Sequence, residues 1–149
     1  GISMVKGLQG NDSTYLKVSA CAKHFAVHSG PEPLRHEFNA TASDHDLRDT
    51  YLPAFYRLIK EADVSGIMCA YNSFNGQPCC GSNLLLRKIL LHDWKFEGYV
   101  TSDCWAITDC TGIKHIRILY LLHQMRYYME QIWSAGILTV HYRRRLMQG

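Results

Sequence analysis

The chain has 149 residues, 47% of them hydrophobic, and a formal net charge of +3. This length fits one domain or a part of a larger one, and the apolar fraction excludes a disordered tail or a collagen-like repeat. The longest apolar runs fall far short of the roughly 18 residues that a membrane-spanning helix needs, so we expect no membrane partner.

The first predicted element is a strand that ends in polar side chains. Residues 17–25 form a short apolar run, typical of a buried strand, and Lys23 and His24 lie at its carboxyl end. A loop rich in Gly and Pro is predicted over residues 29–42.

A helix is predicted over residues 44–62. Ser43 precedes two acidic residues and fits an N-cap, and apolar residues then recur three and four positions apart up to Ala62. Pro53 falls inside this pattern and should kink the helix, because proline has no N–H to donate.

After this helix the sequence predicts a strand, a helix and a further strand. Residues 64–71 predict a buried strand, and the Asn75-Gly76 pair marks a turn after it. A second helix should begin at Ser82 or Asn83, and residues 99–102 predict a third strand.

The order strand, helix, strand, helix, strand predicts an α/β fold with parallel strands and right-handed crossovers. The carboxyl ends of such strands meet at one edge, where active groups gather. Here those ends carry Lys23 and His24, then Tyr71, then Asp103. A carboxylate beside these groups suits a nucleophile or base acting on a polyol. It also suits a phosphate or carboxylate site anchored by Lys23, although no Gly-rich phosphate loop supports that alternative.

Each of these residues also has a purely structural interpretation. Asp103 could cap the following helix, Tyr71 could belong to the core, and His24 could be a buried imidazole with its hydrogen bonds satisfied. Three such strand ends in register favour a functional cluster over three separate structural roles.

The six cysteines predict neither a metal site nor a cofactor. None forms a Cys-x-x-Cys motif, and no paired histidines complete a zinc site. The adjacent Cys79 and Cys80 fit either two small residues in a tight loop or a strained vicinal disulfide. We favour the tight loop.

Five segments resemble glycoside hydrolase family 3. They are Lys23-His24-Phe25, SGPE at 29–32, DLRDTYLPAF at 46–55, MCAYNSFNGQPCC at 68–80 and GYVTSDC at 98–104. The resemblance covers residues 1–109 and is closest to bacterial β-xylosidases and β-glucosidases. It implies an α/β fold, specifically a fragment corresponding to the second half of a (β/α)8 TIM barrel. Pro53 matches the Tyr-Leu-Pro-x-Phe pattern of the family.

The resemblance also implies roles for the residues at the strand ends. Asp103 would be the catalytic nucleophile of a retaining β-glycosidase, and Lys23 and His24 would bind sugar hydroxyls while Tyr71 lies beside the nucleophile. Lys23 near Asp103 would favour the ionised carboxylate. The implied partner is a β-linked glucoside or xyloside oligosaccharide.

The resemblance also implies that parts of the catalytic machinery lie outside this chain. In this family, earlier barrel loops clasp the sugar and a second domain supplies the general acid/base. We therefore expect the purified chain to show little or no glycosidase activity, and cleavage of an aryl β-glycoside within tenfold of a full-length relative would contradict this. A non-catalytic remnant that binds sugar weakly is the alternative. Localisation and oligomeric state stay open.

The net positive charge of the chain comes entirely from residues 110–149, beyond the segment that resembles the family. Residues 1–109 contain 10 Lys and Arg against 12 Asp and Glu, a net charge of −2, whereas residues 110–149 contain six basic residues against Glu130, a net charge of +5. The Arg triplet at 143–145 could bind nucleic acid with a strong salt dependence. We expect no nucleic-acid partner, because no nucleic-acid-binding motif accompanies the triplet.

Residues 110–149 are better explained as an out-of-frame tail with no domain. Reading the third base of each codon with the first two of the next permits a sequence of the kind that follows the Ser-Asp-Cys segment in this family. Three positions are forced by the genetic code: Tyr127-Tyr128 and His141-Tyr142 each give Leu, and Met129-Glu130 gives Gly. A genuine divergent helix is the alternative, since apolar residues from Ile118 to Ile132 fall at helical spacing.

Overall fold

The computed structural model describes residues 1–28, 30–104 and 106–107 of the chain. The strands are β1 (Cys21–Phe25), β2 (Asn39–Ala40), β3 (Gly66–Cys69), β4 (Ser73–Phe74), β5 (Gln77–Pro78) and β6 (Tyr99–Ser102). The helices are α1 (Ile2–Gln9), α2 (Asp44–Asp46), α3 (Pro53–Ala62) and α4 (Asn83–Asp93), the last with the wider hydrogen bonding of a π-helix. Single turns of 3-10 helix lie at Glu32–Leu34 and Cys79–Gly81.

A parallel sheet in the order β1-β3-β6 positions the predicted strand ends. Both pairings are parallel, and β6 has the predicted bounds. The first two predicted strands were too long. Lys17 donates its backbone N–H to Gln9 at the end of α1, so β1 begins only at Cys21. Val64 donates its own to Leu58 in α3, so β3 begins only at Gly66.

The predicted helix over residues 44–62 is interrupted before Pro53. The Ser43 side chain accepts a hydrogen bond from the backbone N–H of Asp46, which confirms the predicted N-cap. The chain then widens into a π-type turn at Leu47–Tyr51, and α3 starts afresh with Pro53 in its first turn. Proline is favoured there, because the first N–H groups of a helix have no intrahelical partner.

The second predicted helix also has its expected start. Ser82, rather than Asn83, is the cap, and its hydroxyl accepts a hydrogen bond from the N–H of Leu85 at 3.2 Å. Between β3 and this helix, β4 and β5 form an antiparallel hairpin through Asn75 and Gly76. Both turn residues have positive φ angles, as a two-residue hairpin turn requires.

The core lies between the sheet and the helices that follow its strands. The ring of Phe25 is fully buried and packs edge-on against Phe55 at 5.0 Å and Trp94 at 5.9 Å between ring centres. Ile67 in β3 and Ile89 and Leu90 in α4 are also buried. Truncating a ring such as that of Phe25 costs about 3–5 kcal/mol.

The cysteines pair differently from the vicinal disulfide that the sequence left open. Cys80 forms its disulfide with Cys69 at the end of β3, with 5.1 Å between the Cα atoms. Cys79 is buried and donates its thiol to the carbonyl of Ala26 at 3.4 Å. The disulfide and this hydrogen bond connect the Cys79–Gly81 turn to the carboxyl ends of β3 and β1.

In the part of the chain that the structure describes, no helix combines the length and the apolar character that crossing a bilayer demands.

Candidate active site

Three of the four predicted site residues meet at the carboxyl edge of the central sheet. The Nε2 atom of His24 lies 2.8 Å from Oδ2 of Asp103. The hydroxyl of Tyr71 also donates a hydrogen bond to the Asp103 carboxylate. Because β1, β3 and β6 run parallel, residues about 30 to 80 positions apart along the chain come together at this edge.

A bulge in β1 accompanies this placement of His24. Lys23 pairs with Met68 while Phe25 pairs with Cys69, so His24 is an extra, unpaired residue of β1 between two pairs formed with consecutive residues of β3. Such a bulge changes the direction of a side chain relative to the regular alternation of a strand. This accounts for His24, rather than Lys23, reaching the carboxylate.

Both oxygens of Asp103 have hydrogen-bond donors, one local and one distant. Oδ1 accepts the backbone N–H of Cys104 at 2.8 Å, and Oδ2 faces His24. The backbone N–H of Asp103 donates to Cys69 at 3.3 Å, which fixes the residue at the end of β6 beside β3. The Asp103 carboxylate is therefore held both by the N–H of the next residue and by a side chain from another strand. Asp103 is only 8% exposed. A carboxylate can accept about four hydrogen bonds, so it keeps capacity for a further group.

His24 is held neutral. Its partial burial and the nearby charge of His28 lower the pKa of His24 below its ordinary value of 6.5, outweighing the opposite effect of Asp103. A neutral imidazole can donate from Nε2 only if that nitrogen carries the single proton. The contact with Asp103 thus assigns the Nε2–H form to His24.

Tyr71 is a neutral phenol whose ring contacts one guanidinium group and one imidazole ring. Desolvation, the negative charge of Asp103 and the hydrogen bond to it raise the pKa of Tyr71. The Arg35 guanidinium lies 5.4 Å from the ring centre, and the His36 ring packs against it at 4.7 Å. The loop between β1 and β2 therefore forms one side of the site. Arg35 is itself paired with Glu32 at 2.8 Å.

Lys23 does not take the position that the sequence analysis gave it beside the nucleophile. Its side chain is exposed, and no ion pair between Lys23 and Asp103 is present among the described residues. Its charge still acts on the neighbouring imidazole, where it lowers the pKa of His24. Lys23 thus lies at the rim of the cluster.

Sequence reasoning missed two residues that support the cluster from behind. The His28 ring lies 4.6 Å from the His24 ring, and its Nδ1 lies 3.3 Å from Oδ1 of Asn72. Asn72 is 2% exposed. Its place directly after Tyr71 was a usable signal, because a buried amide needs several partners.

No group of three or more His, Cys, Asp or Glu side chains that could hold a metal ion occurs within residues 1–28, 30–104 and 106–107.

An acidic side chain held at the carboxyl end of a parallel strand lies where the active sites of α/β enzymes are found. Residues 1–119 match the family described as "Glycosyl hydrolase family 3 N terminal domain". This chain belongs to that family.

Named relatives agree with this assignment. The chain is 53% identical over 111 residues to a xylan 1,4-beta-xylosidase of Xylanibacter ruminicola, a match that covers 73% of this chain and 13% of the relative. A solved family-3 exo-beta-xylosidase in complex with a xylobiose aziridine probe superposes with a TM-score of 0.65 at 33% identity, covering 70% of this chain and 14% of that one. A beta-glucosidase from Kluyveromyces marxianus in complex with glucose gives 0.63 at 36% identity, covering 70% and 12%. The chain thus spans only about an eighth of the length of the curated relative it matches.

Proposed function

We propose that this chain is the nucleophile-bearing segment of a retaining β-glycosidase that acts on β-linked xylosides or glucosides. The contact between His24 and Asp103 at the strand ends carries the proposal, because it joins two segments that resemble the family into one site. The alternation of parallel strands with helices supports the second half of a (β/α)8 barrel as the parent fold.

In the proposed reaction, Asp103 attacks the anomeric carbon of the sugar. The bond from that carbon to the leaving oxygen breaks as the ester bond to Asp103 forms, and the leaving oxygen takes a proton from an acid outside the described residues. Water then attacks the same carbon and gives its proton to the conjugate base of that acid, while the carboxylate of Asp103 leaves, so the configuration is retained over the two steps.

His24 and Tyr71 would orient the carboxylate for this attack. Both donate to Asp103 as neutral groups, so they hold it in place without placing a full positive charge against it. The Lys23 ammonium makes no ion pair among the described residues, and its position at the rim is suited to a sugar hydroxyl. Such contacts raise the rate when they strengthen in the oxocarbenium-like transition state.

A graft into a full-length relative tests this function. We would replace the aligned 111 residues of the Xylanibacter ruminicola xylosidase with those of this chain. We expect the graft to cleave an aryl β-xyloside or β-glucoside, and Asp103→Asn to lower kcat by at least about 10³-fold. Asp93→Asn, which removes an exposed carboxylate that bonds to His92 on α4, serves as the matched control.

A trapping experiment identifies the nucleophile directly. A 2-deoxy-2-fluoro glycoside slows hydrolysis of the glycosyl ester, and peptide mapping of the inactivated graft should locate the sugar on Asp103. A label on another carboxylate, or full activity of the Asp103→Asn graft, would overturn the assignment. An inactive graft that binds sugar would instead support the non-catalytic remnant.

We further propose that residues 1–109 form the partial family-3 domain and that residues 110–149 are an out-of-frame tail. The predicted tail, its charge and its helical spacing lie outside the described residues. Resequencing the source DNA through codons 109–111 tests the proposal, and an intact frame there would refute it.

A further inference from the structure

A second histidine, His28, lies beside the His24–Asp103 contact, and its ring is hydrogen-bonded to a buried amide. The His28 side chain is exposed, yet its ring packs at 4.6 Å and 51° against the ring of His24. On its other side, Nδ1 of His28 lies 3.3 Å from Oδ1 of Asn72. His28 therefore connects a buried polar side chain to the residue that holds the carboxylate.

The amide of Asn72 can take only one orientation. Its Nδ2 donates to the carbonyls of Val27 at 3.2 Å and Ser73 at 3.1 Å. Oδ1 is then the atom that faces His28, and an amide oxygen can only accept. The proton of a neutral His28 ring must consequently lie on Nδ1, from which it is donated to Asn72.

The backbone between the two histidines is also held by Asn72. Val27 has a φ of 55°, in the left-handed region that a β-branched residue rarely occupies. Its carbonyl is one of the two acceptors of the Asn72 amide. Strained backbone of this kind persists where the surrounding structure fixes it, and it is most frequent at functional sites. The left-handed residue precedes His28 directly, at the point where the chain leaves β1.

We propose that His28 is a positioning residue, fixed by its hydrogen bond to Asn72, that supports the His24 ring against Asp103. The inference rests on the proposed function, because it assigns His28 a part in orienting the nucleophile. The nearby charge of His28 lowers the pKa of His24, so His24 stays a neutral donor to Asp103.

The other charged groups that face His24 are few. Lys23 on the same strand opposes protonation of His24, as His28 does, whereas Asp103 after β6 favours it. Tyr71 after β3 is a neutral phenol bonded to Asp103. Removal of His28 therefore leaves Asp103 opposed only by Lys23 and by burial.

Two variants of the full chain remove the charge of His28, and each keeps a different part of its contacts. His28→Phe keeps a ring against His24 but removes the charge and the bond to Asn72. His28→Asn keeps a side-chain N–H near the position of Nδ1 but removes the ring and the charge. Because His28 is exposed, both variants should fold, and a thermal melt verifies this. His45→Phe, at a histidine whose side chain is 83% exposed, is the control.

The readout is the pH titration of His24 followed by NMR in the labelled chain, with the signal assigned from His24→Gln. In both His28 variants we expect the pKa of His24 to rise, because the charge of His28, which lowers it, has been removed. His45→Phe should leave it unchanged. An unchanged or lower pKa of His24 in a folded His28→Phe chain overturns the proposal. This titration needs no catalysis, so it decides the role of His28 whether or not the graft is active.

Discussion

Both ends of the central sheet carry polar side chains, but the side chains make different kinds of interaction at the two ends. At the amino end, the hydroxyl of Ser19 bonds to those of Ser65 at 2.7 Å and Tyr99 at 3.1 Å, and the amide of Gln9 bonds to the backbone of Asp63 and Ser65. These groups are neutral and satisfy one another. At the carboxyl end, the titratable groups of His24, Tyr71 and Asp103 meet.

The amino end of the sheet therefore has the features of a structural network, whereas the carboxyl end has those of a functional site. Closed networks of neutral hydrogen bonds fix where elements lie, whereas titratable groups with perturbed pKa values and spare bonding capacity are typical of functional sites. The open groove at the amino end, about 570 Å³ in volume, includes Gln9 and the end of α3 but none of the residues around Asp103. Substitutions at the two ends should therefore change different measurements.

Apart from substitution of Asp103 itself, the largest effect is expected from His24→Ala in the graft. Loss of a donor on the nucleophile should lower kcat/KM by about 10²-fold, while the free energy of unfolding changes little. Steady-state kinetics and a denaturant titration measure the two quantities. Ser65→Ala at the opposite end is the matched control, and equal losses of activity in both variants would remove the distinction between the ends.

Gln9→Ala, in contrast, should lower stability. The Gln9 side chain, 5% exposed, accepts the N–H of Ser65 at 2.9 Å and donates to Asp63 at 3.0 Å, so its removal leaves backbone groups without partners. We expect a loss of about 1–3 kcal/mol in the free energy of unfolding of the full chain. Asn11→Ala, at an exposed site nearby, should stay within about 0.5 kcal/mol. A Gln9→Ala chain as stable as wild type would show that this network contributes no stability.

Tyr99→Phe should cost less than Gln9→Ala. The Tyr99 ring lies across Gly66, in the space that a Cβ there would occupy, and Phe preserves this packing. The hydrogen bonds of its hydroxyl with Ser19 and with the Cys21 thiol are lost, at a side chain 39% exposed, so we expect about 0.5–1 kcal/mol. Tyr15→Phe, at a residue 75% exposed, is the reference, and thermal unfolding compares them. A cost above that of Gln9→Ala would reverse the ranking.

The smallest effect is a pH dependence that originates at the carboxyl end. The lowered pKa of His24 means that the unfolded chain takes up this proton more readily than the folded one. The stabilisation is present above the ordinary pKa of 6.5 and is lost as the pH falls toward the lower value of the folded state. Between pH 7.5 and 5.5, wild type should lose more stability than His24→Gln, as measured by denaturant titration. His45→Gln should retain the wild-type slope, and identical slopes for wild type and His24→Gln would contradict the expectation.

The elements predicted best were those fixed by local energetics. The caps at Ser43 and Ser82 and the strand at 99–102 follow from side chains and turns within a few residues of one another. Strand starts were predicted less well, because Lys17 and Val64 give their N–H groups to neighbouring helical segments rather than to the sheet. The interruption before Pro53 was anticipated only as a kink.

The site was predictable in part. That His24, Tyr71 and Asp103 should share one edge follows from the order of strands and helices. The place of Lys23, the disulfide between Cys69 and Cys80, and the support of His24 by His28 and Asn72 did not follow. Each depends on contacts between loops or on a shift of strand register, which periodicity does not record.

The sequence by itself determined which side chains end the parallel strands, because hydrophobic periodicity and capping are decided by near neighbours along the chain. Only the tertiary structure decided which of those side chains touches the carboxylate. Lys23 and His24 are adjacent in sequence, and β1 has a bulge at this point. His24 contacts Asp103, whereas Lys23 lies at the exposed rim. The register between strands some 40 residues apart is a property of the packed sheet, and it sets the hydrogen bonds on which the proposed chemistry depends.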